Sequence, residues 1–248
     1  MIYPIIVAYN KFCGDSPTCE AVKKAGLNAV VCDNSTKDFG NKKYCEANGF
    51  YYISMNGNKG LSKAYNKALD FLSGKEGYAV ILDDDSVLPN DFFSDVQSVI
   101  SSNSSPDLVL PVVLAGNVII SPCIKKGIRV RSPKSINELD INNITAINSG
   151  MIVSLKYFEN YRYDENLFLD YIDHDFMDSF KNSKNKFVIA DNIVINQNFF
   201  GMTVKDVKAK KVRYSLFKND FIYYAKKHKK NMFLARLILI NRKLKTLV

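Results

Sequence analysis

Residues 78–86 read YAVILDDDS, and these nine residues carry the strongest fold signal in the 248-residue chain. A short apolar run that ends in three aspartates predicts a buried strand with acidic side chains at its carboxyl end. Strand-like and helix-like segments precede it, in the order strand 2–8, helix 15–26, strand 28–32, strand 50–55 and helix 61–72. This pattern predicts an α/β fold built on a mixed, mostly parallel sheet flanked by helices.

The pattern becomes more mixed after about residue 105. Short strand-like segments separated by Pro, Gly and Asn turns replace the earlier alternation, and a helix is predicted over residues 170–180. We predict a domain over residues 1–204, with a nucleotide-sized α/β half at about 1–105 and a more mixed half at about 106–204, followed by a basic C-terminal helical extension at 205–248.

The formal net charge of +9 is unevenly distributed along the chain. Fourteen Lys and Arg against two Asp give residues 205–248 a charge of +12, which leaves −3 for the first 204 residues. A basic segment with an apolar run at residues 232–240 predicts peripheral contact with an anionic membrane through residues 226–248. A helix packed on the body or a dimer contact is the alternative for the same segment.

Cysteine and histidine usage favours a reduced compartment. The five cysteines include no C-x-x-C pair and the chain has two histidines, so neither a disulfide framework nor a zinc site is expected. The N-terminal MIYPIIVAYN predicts a first strand rather than a signal peptide, and no apolar stretch reaches the roughly 18 residues of a membrane span. We expect a cytoplasmic protein, peripheral on the inner face of the plasma membrane if the basic segment binds lipid.

The acidic triplet is the first candidate site. In an extended segment Asp83 and Asp85 point to the same side, and ligands of open α/β sheets bind at the carboxyl ends of strands. Carboxylates without neighbouring histidine or thiolate suit Mg²⁺ or Mn²⁺, which are held by one or two carboxylates plus substrate phosphates. A solvated acidic turn is the alternative.

A second acidic cluster follows at residues 170–175, DYIDHD. If the helix begins at residue 170, Asp170 and Asp173 share a face, and crowding of carboxylates can raise a pKa toward the range of a general base. Acids that favour a helix N-terminus are the alternative. The loop at residues 58–60 opens a helix whose N-terminus favours anions, but it contains neither a P-loop nor a G-x-G-x-x-G fingerprint.

Short motifs occur in the order found in the family 2 glycosyltransferases of GT-A fold, and the chain resembles their rhamnosyltransferase-like branch from about residue 5 to residue 230. The motifs are VAYN (7–10), VVCDNS (30–35), NKGLSKAYNKAL (58–69), LDDDS (82–86), NSG (148–150), FLDYIDHDF (168–176) and RYSLFKN (213–219).

The resemblance implies an inverting glycosyltransferase with Mn²⁺ or Mg²⁺ as cofactor. Its donor would be a nucleotide-diphosphate sugar, dTDP-rhamnose or a UDP-hexose, and its acceptor a glycan or lipid-linked saccharide in bacterial surface polysaccharide synthesis, such as O-antigen or capsule. The implied residues are Asp173 as catalytic base; Asn10, Asp33, Asn58, Lys63, Asp83 and Asp84 for the donor nucleotide; Asp85 and Asp83 for the metal; and Asn148, Ser149, Gly150 and Asp175 for the acceptor.

Three positions depart from the family pattern. Ser179 stands where an Arg often follows the base, Asn198 where a His is common, and Lys218 where an Arg usually precedes Asn219. These departures keep open a non-catalytic nucleotide-sugar or glycan-binding module of the same fold.

Two further classes fit the sequence less well. A nucleic-acid-binding protein would use the basic tail, but acidic strand ends fit that poorly, and we expect no nucleic-acid partner. A sugar nucleotidyltransferase would need a Gly-rich loop where this chain has Ala8, Tyr9, Asn10 and Lys11.

Overall fold

The computed structural model describes residues 1–182, 185–197 and 207–247. Its main sheet has the strand order β11-β5-β10-β4-β1-β2-β3, with β6 paired to β5, and a small sheet has the order β8-β7-β9. The strands are β1 (Ile2–Ala8), β2 (Val30–Asp33), β3 (Tyr51–Ser54), β4 (Tyr78–Asp83), β5 (Leu108–Ala115), β6 (Val118–Ser121), β7 (Cys123–Lys126), β8 (Arg129–Arg131), β9 (Ile144–Thr145), β10 (Ile152–Ser154) and β11 (Phe187–Asn196). The helices are α1 (Pro17–Lys24), α2 (Asn41–Ala47), α3 (Leu61–Phe71), α4 (Phe92–Ser102), α5 (Ile172–Lys181), α6 (Val207–Lys227) and α7 (Met232–Leu247).

Strands β1 to β4 form the parallel half of the main sheet. β1 lies between β2 and β4, and its register pairs Ala8 with Asp33 and Val7 with Asp83. The acidic ends of β2 and β4 therefore flank the end of β1 at one edge of the sheet. The predicted mixed, mostly parallel sheet is confirmed, since β10 and β6 are its antiparallel members.

Two hydrophobic cores cover the two faces of this sheet. Alternate residues of β1 and β4 divide between them: Ile5 and Ile81 face the core that contains α3 and α5, whereas Ile6 and Leu82 face the core that contains α1 and α4. Both faces are covered, so these strands are apolar throughout, as parallel strands between two helix layers usually are.

The second half departs from the predicted elements in several places. Residues 146–154 are strand-like in sequence, but of these only Ile152–Ser154 form a strand, β10, because the chain turns at Gly150, whose φ is 80°. The sequence also did not predict α2, β7 or β9, which are short and lack a clear hydrophobic period. Helix α5 begins two residues later than expected, at Ile172.

The C-terminal helices form a third core rather than a separate arm. Phe217 and Phe221 of α6 pack with Ala235 and Leu239 of α7 and with Ile128. The predicted helical character of this segment is confirmed, while the boundary predicted at residues 204 and 205 lies outside the described residues. In the described part of the chain no helix is long and apolar enough to cross a membrane. All five cysteines are buried free thiols.

Candidate active site

A cleft of about 590 Å³, the Asp33 cleft, opens at the end of β2. Asp33 is 6% exposed, and its Oδ2 accepts hydrogen bonds from Asn41 Nδ2 at 3.1 Å and from the Tyr52 hydroxyl at 3.2 Å. The cleft is also lined by Lys42 and Asn56. These two donors hold the Asp33 carboxylate in a fixed orientation as a hydrogen-bond acceptor.

The loops around this cleft are tied together by asparagine side chains. Asn10, in a left-handed conformation with φ of 50°, accepts hydrogen bonds at Oδ1 from the backbone and hydroxyl of Thr36. Asn34, which the sequence analysis did not single out, donates to Asn58 Oδ1 and accepts from the Lys59 N–H. Asn10 and Asn58 thus shape the loops of the predicted donor site in this structure.

The acidic turn begins where β4 ends, at Asp83. Thr18 Oγ1 donates to the Asp83 carbonyl at 2.6 Å, and Ser16 Oγ donates to the Asp84 carbonyl at 2.5 Å, so the start of α1 fixes the turn. The extended geometry that would align Asp83 with Asp85 stops at Asp83, because the next two residues form a turn. Asp85 is exposed.

Asp84 faces the end of β1. Its Oδ2 accepts the Tyr9 N–H at 3.3 Å, and Lys11 Nζ lies 3.9 Å from its Oδ1. Burial raises the pKa of Asp84, which Lys11 opposes. Asp84 therefore connects the acidic turn to the loop after β1.

A second cavity of about 330 Å³, the strand-end cavity, brings together residues from distant parts of the sequence. Its lining includes Asp83, Asn148, Ser149 and Asp173, as predicted, and also Tyr65 of α3. Asn148 and Ser149 are 8% and 4% exposed, and the Asn148 amide oxygen accepts no hydrogen bond from the described residues. The cavity thus places two carboxylates and an unsatisfied amide oxygen around one space of sugar size.

The two carboxylates of this cavity influence each other. Burial raises the pKa of Asp83 to about 6; a hydrogen bond with Ser149 lowers it, and the neighbouring charges of Asp85, Asp84 and Asp173 raise it further. A site that crowds carboxylates in this way favours a bound cation.

Asp173 lies in the first turn of α5. Tyr171 precedes the helix in a left-handed conformation with φ of 64°, so Asp170 lies outside the helix. The expectation that Asp170 and Asp173 share a helix face is therefore wrong. Asp170 instead forms a two-pronged ion pair with Arg213 of α6.

Helix α6 positions the segment that leads into α5. Asp220, which is 3% exposed, accepts hydrogen bonds from the N–H groups of Phe168, Leu169 and Asp170 at 3.0, 2.8 and 2.8 Å. Hydrogen bonds to a charged acceptor are the stronger class. The orientation of residues 168–170, and hence the start of α5, depends on a residue about 50 positions later in the chain.

Helix α3 supports the same segment from the other side. The Leu61 N–H donates to the Phe168 carbonyl at 2.7 Å, and Ser62 Oγ donates to the Leu167 carbonyl at 2.6 Å. A Cβ on Gly60 would lie 2.7 Å from the Phe168 carbonyl oxygen, so this close approach requires glycine. The N-terminus of α3 therefore binds a protein carbonyl rather than a ligand anion.

Seven predicted site residues line neither cavity: Asn10, Asn58, Asp84 and Asp85, which lie in the loops described above, and Asp175, Gly150 and Lys63. Asp175 is 2% exposed and is held by Lys227 at 2.8 Å and His228 Nε2 at 2.7 Å, so it faces α6 and not an acceptor. Gly150 is buried and has a φ of 80°, a left-handed conformation that favours glycine. Lys63 is exposed on α3 and is absent from the lining of either cavity.

The residues present fit a divalent cation that substrate oxygens help to hold. Among the described residues no group of three His, Cys, Asp or Glu is arranged to hold a metal by itself. Mg²⁺ and Mn²⁺ sites of sugar-nucleotide type need only one or two carboxylates with phosphates and water. Asp83, half-buried beside the like charges of Asp84 and Asp85, and the exposed Asp85 are two carboxylates of this kind.

The three residues that depart from the family pattern lie in different parts of the chain. Ser179 lies on α5 and is half-buried, and Lys218 is exposed on α6. Asn198 lies outside the described residues. Gln197, which the sequence analysis did not single out, lines the strand-end cavity and donates from Nε2 to Ser149 Oγ at 3.2 Å.

Comparisons with known proteins add sequence relatives to this geometry. The model of the family described as Glycosyl transferase family 2 matches residues 5–162. The dTDP-rhamnosyl transferase RfbF of Shigella flexneri is 27% identical over 179 residues, which cover 69% of this chain and 60% of that protein. The chain thus spans about 60% of the length of this curated relative.

Solved structures show the same fold at low sequence identity. TarS of S. aureus (residues 1–349) matches with a TM-score of 0.57 and 15% identity, over 91% of this chain and 66% of that one. The mannosyltransferase PcManGT of Pyrobaculum calidifontis was solved with GDP-Man and Mn²⁺. It matches with a TM-score of 0.60 and 12% identity, over 96% of this chain and 69% of that one. GalNAc-T7, solved with UDP, GalNAc and Mn²⁺, matches with a TM-score of 0.61 and 12% identity, over 80% of this chain and 44% of that one. These likenesses confirm the predicted GT-A fold.

Asp178 of α5 makes the contact between α5 and α6 dependent on pH. Burial by itself would raise its pKa, but the Lys125 ammonium and hydrogen bonds from Lys125 and Tyr224 outweigh burial and lower the pKa of Asp178 from 3.8 to about 2. The folded chain therefore binds this proton less tightly than the unfolded chain. The carboxylate stabilises the fold above about pH 4, and this stabilisation is lost as the pH falls toward 2.

Asp178→Asn is expected to lower the free energy of unfolding by at least about 2 kcal/mol at pH 7, and the difference from wild type should shrink as the pH approaches 2. Denaturant unfolding at pH 7, 4 and 3 measures this difference. Asp191→Asn, at an exposed position of β11, is the matched control and should change little. A difference that stays constant over this pH range would contradict the assignment.

Proposed function

Since the chain belongs to glycosyl transferase family 2, we propose that it transfers a sugar from a nucleoside diphosphate to a hydroxyl group of a saccharide acceptor. The predicted family is confirmed, and the similarity to RfbF agrees with the rhamnosyltransferase-like branch. The observation that carries the proposal is the strand-end cavity, where Asp83 from the end of β4 and Asp173 from the start of α5 line the same space.

The donor nucleotide is assigned to the edge where β1, β2 and β4 end. The Asp33 cleft accommodates the nucleoside, because its carboxylate and the Tyr52 ring offer a hydrogen-bond acceptor and an aromatic face. β1 lies between β2 and β4, so the acidic turn that begins at Asp83 is two strands away from Asp33 at the same edge of the sheet, which supports a diphosphate position beside this turn. The sugar then extends into the strand-end cavity.

Asp85 and Asp83 are proposed to hold Mn²⁺ or Mg²⁺ together with the donor phosphates. When bound, this ion neutralises charge on the departing nucleoside diphosphate. The protein's part is to keep carboxylates crowded at one turn, which Thr18 and Ser16 fix by bonding its carbonyls.

Asp173 is proposed as the general base of an inverting transfer. Its carboxylate takes the proton of the acceptor hydroxyl as that oxygen attacks the anomeric carbon of the donor sugar. Its Oδ1 also accepts the His174 N–H at 2.7 Å, which orients the carboxylate at the start of the helix. Such inversion needs the base and the leaving diphosphate on opposite sides of the sugar.

Only the similarity to RfbF narrows the choice of donor sugar nucleotide and of product. The name of RfbF supports a dTDP-linked rhamnose as donor, with UDP-hexoses as the second class. A glycan or lipid-linked acceptor of bacterial surface polysaccharide synthesis is the proposed context.

Helix α7 supports the proposed peripheral membrane contact. Phe233, Leu237, Ile240 and Leu244 are 73%, 47%, 57% and 59% exposed, and their spacing places them on one face of the helix. Arg236 and the surrounding lysines supply cations for an anionic leaflet.

The donor assignment predicts metal-dependent nucleotide binding. In thermal-shift measurements with UDP, dTDP, GDP and ADP, one base should raise the melting temperature more than the others, and more with Mn²⁺ than without, because a ligand of the native state stabilises it. Asp85→Asn should remove the Mn²⁺-dependent part of the shift, while Asp91→Asn, at an exposed position before α4, should retain it. No shift with any nucleotide at millimolar concentration would contradict the donor site.

The base assignment predicts opposite behaviour for two neighbouring aspartates. Asp173→Asn should lower the rate of sugar transfer by about 10²- to 10⁴-fold, with nucleotide affinity and melting temperature little changed. Asp175→Asn should lower the melting temperature, because it weakens the buried ion pairs with Lys227 and His228. Unimpaired transfer by Asp173→Asn would refute the base, and binding without transfer in wild type would favour the non-catalytic module.

The membrane proposal predicts that the double variant Phe233→Ser/Leu237→Ser binds phosphatidylglycerol vesicles about tenfold more weakly than wild type. Vesicle flotation of the full chain measures this binding. Phe71→Ser, at an exposed aromatic of α3, is the control. Equal flotation of all three proteins would argue against membrane contact through α7.

A further inference from the structure

A third cavity, the basic cavity, lies between β7–β8 and helices α6–α7 and has a volume of about 600 Å³. Four of its lining residues are cations, and no carboxylate is among the described lining residues. The cations are Lys126, Arg129, Arg131 and Arg242. A ligand-sized space with charge of one sign attracts a ligand of the opposite sign.

Most of this charge is not neutralised by the protein. Arg131 pairs with Glu138 at 3.1 Å, whereas Lys126, Arg129 and Arg242 have no carboxylate within 4.0 Å in the described part of the chain. Elsewhere in α6, Arg213 and Lys227 are paired with aspartates. Three cations without a carboxylate partner, from β7, β8 and α7, therefore meet at this one cavity.

Arg242 is held in place by packing. Its guanidinium carbon lies 3.5 Å from the centroid of the Phe217 ring, and the side chain is half-buried. Stacking on an aromatic ring leaves the planar edge of a guanidinium free to donate hydrogen bonds. Ile124 and Ile238 add an apolar wall beside it.

The basic cavity adjoins the proposed catalytic base. Tyr171 and His174 line the basic cavity, while Ile172 and Asp173, between them in sequence, line the strand-end cavity. Consecutive helical residues rise about 1.5 Å each, so the first turn of α5 forms the wall between the two spaces. A ligand in the basic cavity lies one helical turn from the carboxylate that would receive the acceptor proton.

We propose that the basic cavity binds a phosphate or diphosphate group of the acceptor, carried next to the sugar whose hydroxyl faces Asp173. The proposal rests on the proposed function and names the chemistry of its second substrate. Guanidinium groups match phosphate oxygens in pairs of hydrogen bonds, which explains arginines at Arg129 and Arg242. The apolar wall accommodates the first carbons of a lipid carrier, and the exposed apolar face of α7 lies on the same helix as Arg242.

The test uses farnesyl diphosphate, farnesol and inorganic pyrophosphate as probes, titrated calorimetrically into the full chain in metal-free buffer with EDTA. Farnesyl diphosphate should bind and farnesol should not. Arg129→Gln/Arg242→Gln should weaken farnesyl diphosphate binding by about tenfold or more, since each charge-assisted hydrogen bond lost costs about that factor. Arg236→Gln/Lys243→Gln removes the same charge from exposed positions of α7 outside the cavity lining and should leave the affinity within about twofold.

Nucleotide binding with Mn²⁺ is measured in the same variants and should be unchanged. A failure of the proposed phosphate site in the basic cavity can therefore be distinguished from a failure of the proposed donor site. Equal losses in both double variants, or farnesyl diphosphate binding no tighter than farnesol, would overturn the proposal. Loss of binding to phosphatidylglycerol vesicles in the cavity variant, with farnesyl diphosphate binding intact, would also overturn it in favour of a lipid headgroup. Tighter binding of farnesyl diphosphate than of pyrophosphate supports a lipid-linked acceptor, and equal binding supports a water-soluble phosphorylated one.

Arg129→Gln is also titrated as a single variant, because this exposed side chain can be replaced without disturbing the core. Its loss of farnesyl diphosphate affinity, with an unchanged melting temperature, supports the proposal independently of the packing of Arg242 on Phe217. Unchanged affinity in this variant and in Arg242→Gln would refute it.

Discussion

The carboxylate of Asp220 is the constraint on which the arrangement of the site depends. It is 3% exposed and accepts three backbone N–H groups, those of Phe168, Leu169 and Asp170. A buried charge of this kind is tolerated only because every hydrogen bond is made, and its loss would leave three donors unsatisfied. These donors belong to the segment that leads into α5, so the proposed base is positioned from the C-terminal part of the chain.

The contacts between the C-terminal helices and the rest of the protein change the interpretation of how charge is distributed along the chain. The basic segment carries +12 against −3 for the rest. Several of its cations face inward: Arg213 pairs with Asp170, and Lys227 pairs with Asp164 and Asp175. Part of the tail's anionic partner is therefore the acidic body of the protein itself. Of the tail's other cations, Arg242 lines the basic cavity, and Arg236 and Lys243 lie exposed on α7, where a ligand or a surface of opposite charge would meet them.

Much of the first half could be predicted because its signals are local. The apolar run of β4 and its aspartates are contiguous, and parallel pairing with β1 follows from alternation with helices. Short motifs singled out Asp33, Asp83 and Asp173. In the structure Asp33 lines the Asp33 cleft, and Asp83 and Asp173 line the strand-end cavity. Asp175 and Gly150 could not be assigned in this way, because the same motifs contain residues that support the backbone and residues that line the cavity.

The sequence by itself determined the family, the α/β class and the acidic ends of the strands, since each depends on neighbouring residues and their period. Only the tertiary structure decided that Asp175 is buried by Lys227 and His228, that the start of α3 supports residues 167–168, and that Asp220 of α6 holds residues 168–170. The physical reason is that each of these contacts joins residues far apart in the chain. Hydrogen bonds and ion pairs between distant residues leave no period in the sequence, and they form only when the packed sheet and helices bring their partners together.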